Sequence, residues 1–456
     1  MKKYIVLLTV SLLVIMSATA VLAGNGQGAI VVRIDDICWM DITTEDTGEN
    51  YLASGDLHYV ETPEGLWILT CQGEIYEQTA PLDEAYNERS TAANPTISCT
   101  TPWDVTYDTH VTLTPAGQAH FTCQGDLTPS GVNNDFVAYP NNPVLELGNQ
   151  GEWDGGTIVL PEVIVVGDTF HMFYTGLITA FSSAPAIGYA SSPDGLTWTK
   201  SISNPILVGD GTGFDAYYVA TPAMLYDDGL WVMYYAGQPT PPPAPSGSQI
   251  GRATAPAPAG PWTKGTEPVL SLGSSGEWDS GFIEANTVLK IDNEYVMYYS
   301  GGADFFSGAG FMIGRATSPD GLTWTKYDDP ATTEAPFAES DPVLMPGAAG
   351  AWDEAMVWES TVRHTPCGWE MYYTGAPSFF ESAIGYATSE DGLVWVKDPA
   401  NPIYEAADDP VTASTGNVVE VPTVIDVGNE RWMYYDYGQG DDPPAVGLAK
   451  APLACR

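Results

Sequence analysis

Five stretches of this 456-residue chain repeat one pattern, and a repeat of that length fixes an architecture before any local reading does. Asn142-Pro143-Val144-Leu145, Asn204-Pro205-Ile206-Leu207, Glu267-Pro268-Val269-Leu270, Asp341-Pro342-Val343-Leu344 and Asn401-Pro402-Ile403-Tyr404 each open a unit, 62, 63, 74 and 60 residues apart. The first four are followed by an aromatic-Asp pair: Trp153-Asp154, Phe214-Asp215, Trp278-Asp279 and Trp352-Asp353. All five then reach an aromatic pair, Phe173-Tyr174, Tyr234-Tyr235, Tyr298-Tyr299, Tyr372-Tyr373 or Tyr434-Tyr435. Three close on Asp194-Gly195-Leu196-Thr197-Trp198, Asp320-Gly321-Leu322-Thr323-Trp324 and Asp391-Gly392-Leu393-Val394-Trp395. Each unit holds about four short runs rich in β-branched and aromatic residues, cut by Gly, Pro, Asp and Asn, with no long helical period. Four strands per repeat around one axis predict an all-β, five-bladed β-propeller over residues 135–456. The segment Asp135-Phe136-Val137-Ala138-Tyr139 is placed to close the ring against the last blade.

Residues 24–130 lack the repeat and read as a small accessory β-domain stapled by disulfides. Lys2 and Lys3, an apolar run from Tyr4 to Met16 and small residues up to Ala23 make residues 1–23 a secretory signal peptide, predicting a secreted, periplasmic or cell-surface protein. In such a compartment six cysteines are expected as disulfides. The matching contexts Thr70-Cys71-Gln72-Gly73 and Thr122-Cys123-Gln124-Gly125 suggest pairing Cys38 with Cys71 and Cys99 with Cys123, leaving Cys367 with Cys455; sequence does not choose among the connectivities. A formal charge of −43 repels phosphate backbones and anionic lipid, so neither nucleic acid nor membrane insertion is expected.

A propeller has one cavity to which every blade contributes, the central channel lined by each blade's first strand. Seven residues beyond each aromatic-Asp pair lie Pro161, Pro222, Asn286 and Ser360, with Pro422 their match in the fifth unit. The residues just before these positions face the channel. They bring the carboxylates Glu284, Glu359 and Glu420, with Glu162 one residue after, and none of these repeats around the ring as the aspartates do.

The five-unit count, the Asn-Pro openings and the Ile-Gly-Tyr-Ala turns resemble the five-bladed glycosidase superfamily of glycoside hydrolase families 32, 43, 68 and 130. That resemblance implies a polysaccharide or oligosaccharide substrate and catalysis by two channel carboxyl groups. Ile283-Glu284-Ala285-Asn286 is similar to the blade-three acid motif of family 43, which makes Glu284 the first catalytic candidate. The family's two aspartates before Pro in blades one and two are replaced by Leu160 and Thr221. The second carboxyl is therefore sought among Glu162, Glu359 and Asp154. Trp153, Tyr217, Tyr218, Trp358, Glu420, Asp215 and His364 are candidates for substrate contact, the aromatics because sugars stack their C–H faces on such rings. The loop Asp210-Gly211-Thr212-Gly213-Phe214-Asp215 offers oxygen ligands for Ca²⁺ without a complete loop pattern, and no cofactor is expected. Two functions follow: a glycoside hydrolase-like enzyme, or a non-catalytic carbohydrate-binding propeller that has lost its base.

Overall fold

The computed structural model describes residues 136–179, 183–241, 247–304, 310–365, 368–378, 381–409, 418–438 and 445–453 in full, and only strand backbone before residue 136. The chain divides into two compact units, residues 1–133 with 454–456, and Asn134–Leu453. In the first, seven strands form an antiparallel path, with Ala23–Gly24 paired at one side of it. The two Thr-Cys-Gln-Gly copies lie on neighbouring strands, Leu66–Gln78 and Gln118–Asp126, paired about Thr70 and Thr122. The side chains of Cys38, Cys71 and Cys123, together with Cys99, Cys367, Cys455 and the greater part of the leader, lie outside the described residues.

The second unit is built of five antiparallel sheets, as the repeat predicts. Their inner strands are Thr157–Val166, Tyr218–Asp227, Phe282–Ile291, Met356–Thr365 and Val419–Val427. Helical structure among the described residues is limited to single 3₁₀ turns. The ring closes as expected: Val137–Ala138 is the outermost strand of the fifth sheet. The Asn-Pro segments take a different place from the one their spacing suggests. Leu145, Leu207, Leu270, Leu344 and Tyr404 each bridge to the third strand of the preceding blade, so each segment finishes one blade before the next begins.

The recurring residues hold the blades together. Tyr174, Tyr235, Tyr299 and Tyr373 each donate a hydroxyl hydrogen bond to the aspartate 20 residues earlier, at 2.8–3.3 Å. Lys200, Lys264, Lys326 and Lys397 pair with the same carboxylates at 2.5–2.7 Å. The fifth unit lacks the aromatic-Asp pair but keeps the strut, because Tyr435 donates to Asp409 instead. The Asp-Gly-Leu turns also have a partner in the neighbouring blade. Asp194 accepts the N–H groups of Leu196 and Thr197, Gly195 takes φ of 70°, and its carbonyl accepts the Tyr434 hydroxyl at 2.9 Å. Tyr234 and Tyr298 bond the Gly321 and Gly392 carbonyls in the same way. Blade two has no such turn, and blade one accordingly carries Phe173 where the others carry tyrosine.

Candidate active site: a carboxyl cluster on the channel wall

Each inner strand is broken by a β-bulge where it meets the channel, and the bulge determines where the functional side chains stand. In four blades the bulged residue is left-handed: Leu160 at φ 58°, Thr221 at 49°, Glu359 at 34° and Val421 at 55°. A non-glycine residue there costs about 1–3 kcal/mol and persists only where its surroundings demand it. The demand comes from the preceding blade. The N–H of Thr221 donates to Thr175 Oγ1 at 3.2 Å, that of Glu359 to Ser300 Oγ at 2.8 Å, and that of Val421 to Thr374 Oγ1 at 2.8 Å. Leu160 N–H donates to Asp436 Oδ2 at 2.6 Å. All four acceptors directly follow the aromatic pair of their blade. Blade two has Ala236 there, and in blade three Ala285 is not left-handed; the bulge moves to Asn286, which donates to Ser300 Oγ and Ser360 Oγ.

Glu284, Glu359 and Asp436 are 8, 5 and 2% exposed, so their carboxyl groups are largely removed from water. Glu284 and Glu359 hydrogen-bond each other, and the Tyr218 hydroxyl bonds Glu284. Burial pushes Glu284 up to about 7, against the pull of its Glu359 and Tyr218 hydrogen bonds. Burial, followed by the Glu284 charge, holds Glu359 well above the carboxylate range, with smaller contributions from Asp436 and Glu420. Two such groups in contact cannot both ionise, so the pair shares a proton carried mainly by Glu359. Glu420, bonded to Ser382 Oγ at 3.3 Å, is raised to about 7 by burial. Burial also raises Asp436 strongly, and Glu420 adds to it. Among the described residues Glu359 Oε1 and Asp436 Oδ1 are buried without a hydrogen-bond partner.

Glu284, Glu359, Glu420 and Tyr218, all predicted from sequence, thus come together. Glu162 stands further along the channel, in a small cavity also lined by Glu359, Leu160, Thr221 and Pro422. Burial raises it to about 8; it accepts the Met224 N–H and, at 3.4 Å, the Thr423 hydroxyl. Thr287 fills the same role one pair of blades on, accepting the Val362 N–H at 3.0 Å, so Glu162 occupies a position that ties blades together. Asp154 and Asp215 belong to the repeated Tyr–Lys struts. Trp153 stacks on Tyr174 above Gly176 and Gly188, where a Cβ would come within 2.5 Å of the indole. Trp358 stacks on Phe311 with ring centres 5.7 Å apart. Tyr217 is half-buried, its N–H bonded to Gln238 O. His364 is exposed on Trp369 near the opposite end of its strand from Glu359. The 3₁₀ turn Gly213–Asp215 uses Asp215 in its strut, and among the described residues no group of His, Cys, Asp and Glu has the arrangement of a metal site. Sequence reasoning missed Asp436, whose only signal is that a carboxylate replaces the Thr, Ala, Ser and Thr of the other blades.

No protein-family model matches the chain. It is 23% identical over 335 residues to an uncharacterized protein of Mycobacterium tuberculosis, covering 73% of this chain and 84% of that one. A β-1,2-mannobiose phosphorylase of Thermoanaerobacter is 29% identical over 108 residues, 21% of this chain and 35% of that protein. Among solved structures, one from a study of family 130 mannoside phosphorylases and hydrolases matches with a TM-score of 0.55 and 18% identity, over 72% of this chain and 99% of that one. A glycosyl hydrolase of Bacteroides ovatus matches with a TM-score of 0.53 and 17% identity, over 72% and 99%. The propeller of this chain therefore has the five-bladed fold of these glycoside-active proteins.

Proposed function

We propose that the protein hydrolyses glycosidic bonds of a neutral polysaccharide or oligosaccharide outside the cytoplasm, with the Glu284–Glu359 pair as proton donor to the leaving oxygen. The observation that carries this reading is the hydrogen-bonded pair itself, which keeps a carboxylic proton available near neutral pH in a channel where carbohydrate-active relatives of the fold exist. The paired carboxyls are in contact, closer than the roughly 5 to 5.5 Å of a retaining pair, so they act as one acid and a further carboxyl must serve as the other partner. Water suits the acceptor role better than phosphate. Each of the ten basic residues among the described residues of the propeller engages a carboxylate or an aromatic side chain: four lysines in the struts, Lys290 on Asp227, Arg363 and Arg431 on Glu370 and Asp426, Lys450 on Glu430, and Arg252 and Arg315 on Tyr234 and Tyr298.

The second reading, a carbohydrate-binding propeller without turnover, is favoured by the apolar Leu160 and uncharged Thr221 on the channel wall. Turnover of a panel of aryl glycosides and native glycans by the full chain, with Glu284→Gln in parallel, separates the two. The enzyme reading expects about 10²–10⁴-fold loss in the variant. Glycan binding by both proteins with turnover by neither would establish the binding reading.

A further inference from the structure

We propose that Asn286 is the positioning residue of the Glu284–Glu359 pair: with Ser300 and Ser360 it locks blades three and four together at the level of the two carboxyls. Its consequence for turnover rests on the hydrolytic reading above.

The lock is a departure from the blade plan. The residue after the bulge position is proline in blades one, two and five, at Pro161, Pro222 and Pro422, and a polar side chain in blades three and four, at Asn286 and Ser360. The two blades that give up the proline are the two whose glutamates hydrogen-bond each other. Asn286 Nδ2 donates to Ser360 Oγ across the blade junction at 3.2 Å and to Ser300 Oγ of its own blade at 2.8 Å. Ser300 Oγ also accepts the Glu359 N–H at 2.8 Å and donates to Asn286 Oδ1 at 3.1 Å, so both lone pairs and the proton of that hydroxyl are used. These bonds close a ring that runs from Asn286 through Ser300, the Glu359 backbone and Ser360 back to Asn286. Glu359 is thereby held at its own N–H and at the next side chain, from a residue two positions beyond Glu284.

The other junctions are built with less. Between blades one and two, and between four and five, one hydroxyl, on Thr175 or Thr374, bonds one N–H, and the residue beyond the bulge is a proline. Between blades two and three Ala236 offers no side-chain acceptor, and the bulge of blade three lies at Asn286. Asn286, Ser300 and Ser360 are 7, 1 and 4% exposed, so water does not compete for their hydrogen bonds. Asn286 and Ser360 share with Glu359 the wall of one channel cavity.

Fixed spacing is what a proton-sharing pair needs. Ionisation of both carboxyls is opposed by their repulsion, and two strands free to part would relieve it. The lock denies that relief. The other titratable groups facing the pair are Tyr218 from blade two and Asp436 and Glu420 from blade five, and among the described residues no cation joins them.

Asn286→Ala removes the lock and leaves the bond from Glu359 to Ser300, and it tests the assignment in the full chain. The protonated carboxyl of the pair is followed against pH by infrared difference spectroscopy, its band assigned by its loss in Glu359→Gln. In Asn286→Ala the midpoint of that band is expected to fall by about 1 pH unit. On an aryl glycoside the alkaline limb of kcat/KM should fall with it, and kcat should drop about 10–100-fold while KM stays within about threefold. Thr175→Ala removes an interblade bond at the junction of blades one and two, where neither glutamate stands; it is expected to melt a few degrees below the parent, as Asn286→Ala does, with the midpoint unmoved. A midpoint unmoved in Asn286→Ala, or moved as far by Thr175→Ala, overturns the assignment. Should Asn286→Ala fail to fold, Ser360→Ala, which deletes only the bond across the junction, carries the same expectations. If the midpoint shifts as expected in a protein that turns over no glycoside, the positioning of the pair stands and the hydrolytic reading falls.

Discussion

Glu162→Gln should make the propeller more stable in mild alkali and leave it unchanged in mild acid. In the folded chain burial raises the Glu162 carboxyl from 4.5 to about 8. Below pH 4.5 the group is protonated folded or unfolded, and its burial carries no ionic cost. As pH rises, the unfolded chain ionises freely while the folded chain resists, so stability falls between about 4.5 and about 8. That gap, at about 1.36 kcal/mol per pH unit, sets an upper limit of about 5 kcal/mol. Water entering the channel and relaxation of neighbours lower this to about 2 kcal/mol. Glutamine keeps the oxygen that accepts the Met224 N–H and cannot ionise. At about 2–4 °C per kcal/mol for a unit of this size, the variant should melt about 4–8 °C above the parent at pH 8.5 and at the same temperature as the parent at pH 4. The assay is thermal unfolding followed by far-ultraviolet circular dichroism or calorimetry at both pH values. Equal shifts at the two pH values, or destabilisation at pH 8.5, would mean that Glu162 carries a compensated charge in the folded state and that the reasoning is wrong.

Tyr218→Phe removes a hydrogen bond that favours ionised Glu284, so the alkaline limb of kcat/KM should move about 1 pH unit higher, since a hydrogen bond to a charged group is worth about 1.5–3 kcal/mol; a pH–rate profile with an unmoved limb would separate Glu284 from the acid role. Lys326→Met leaves Asp279, 0% exposed, without its cation, and should cost about 3–5 kcal/mol in denaturant unfolding; a loss below about 1 kcal/mol would show the strut to be dispensable.

The architecture was legible because each blade must solve the same problems. Tyr–Asp–Lys struts and Asp-Gly turns recur wherever the problem recurs, and even the exceptions pair up, as when Phe173 faces a blade without the turn. Glu284 and Glu359 were legible for the opposite reason, as carboxylates that do not repeat on strands that must line the channel. Asp436 was not, because it sits on a second strand and reaches the channel only through the bulge of the next blade, a contact 276 residues away in sequence. Asp154 matched the expected chemistry but belongs to the repeat, and a residue that four blades share is needed by the blade.

The acidity of the chain and the character of the site are linked through the same struts. Ten basic residues lie among the described residues of the propeller, and each secures a carboxylate or an aromatic side chain away from the Glu284–Glu359 pair. Among the described residues the channel carboxyls therefore face one another without a cation to hold them ionised, and burial and mutual repulsion keep protons on them. Adding one cation should reverse this. A lysine placed at Thr221, on the same channel wall, would lower the Glu284–Glu359 pair toward the ordinary carboxylate range and remove its proton near neutral pH. The scarcity of bases is what leaves a proton shared between two adjacent glutamates, and it disfavours any anionic ligand in the same channel.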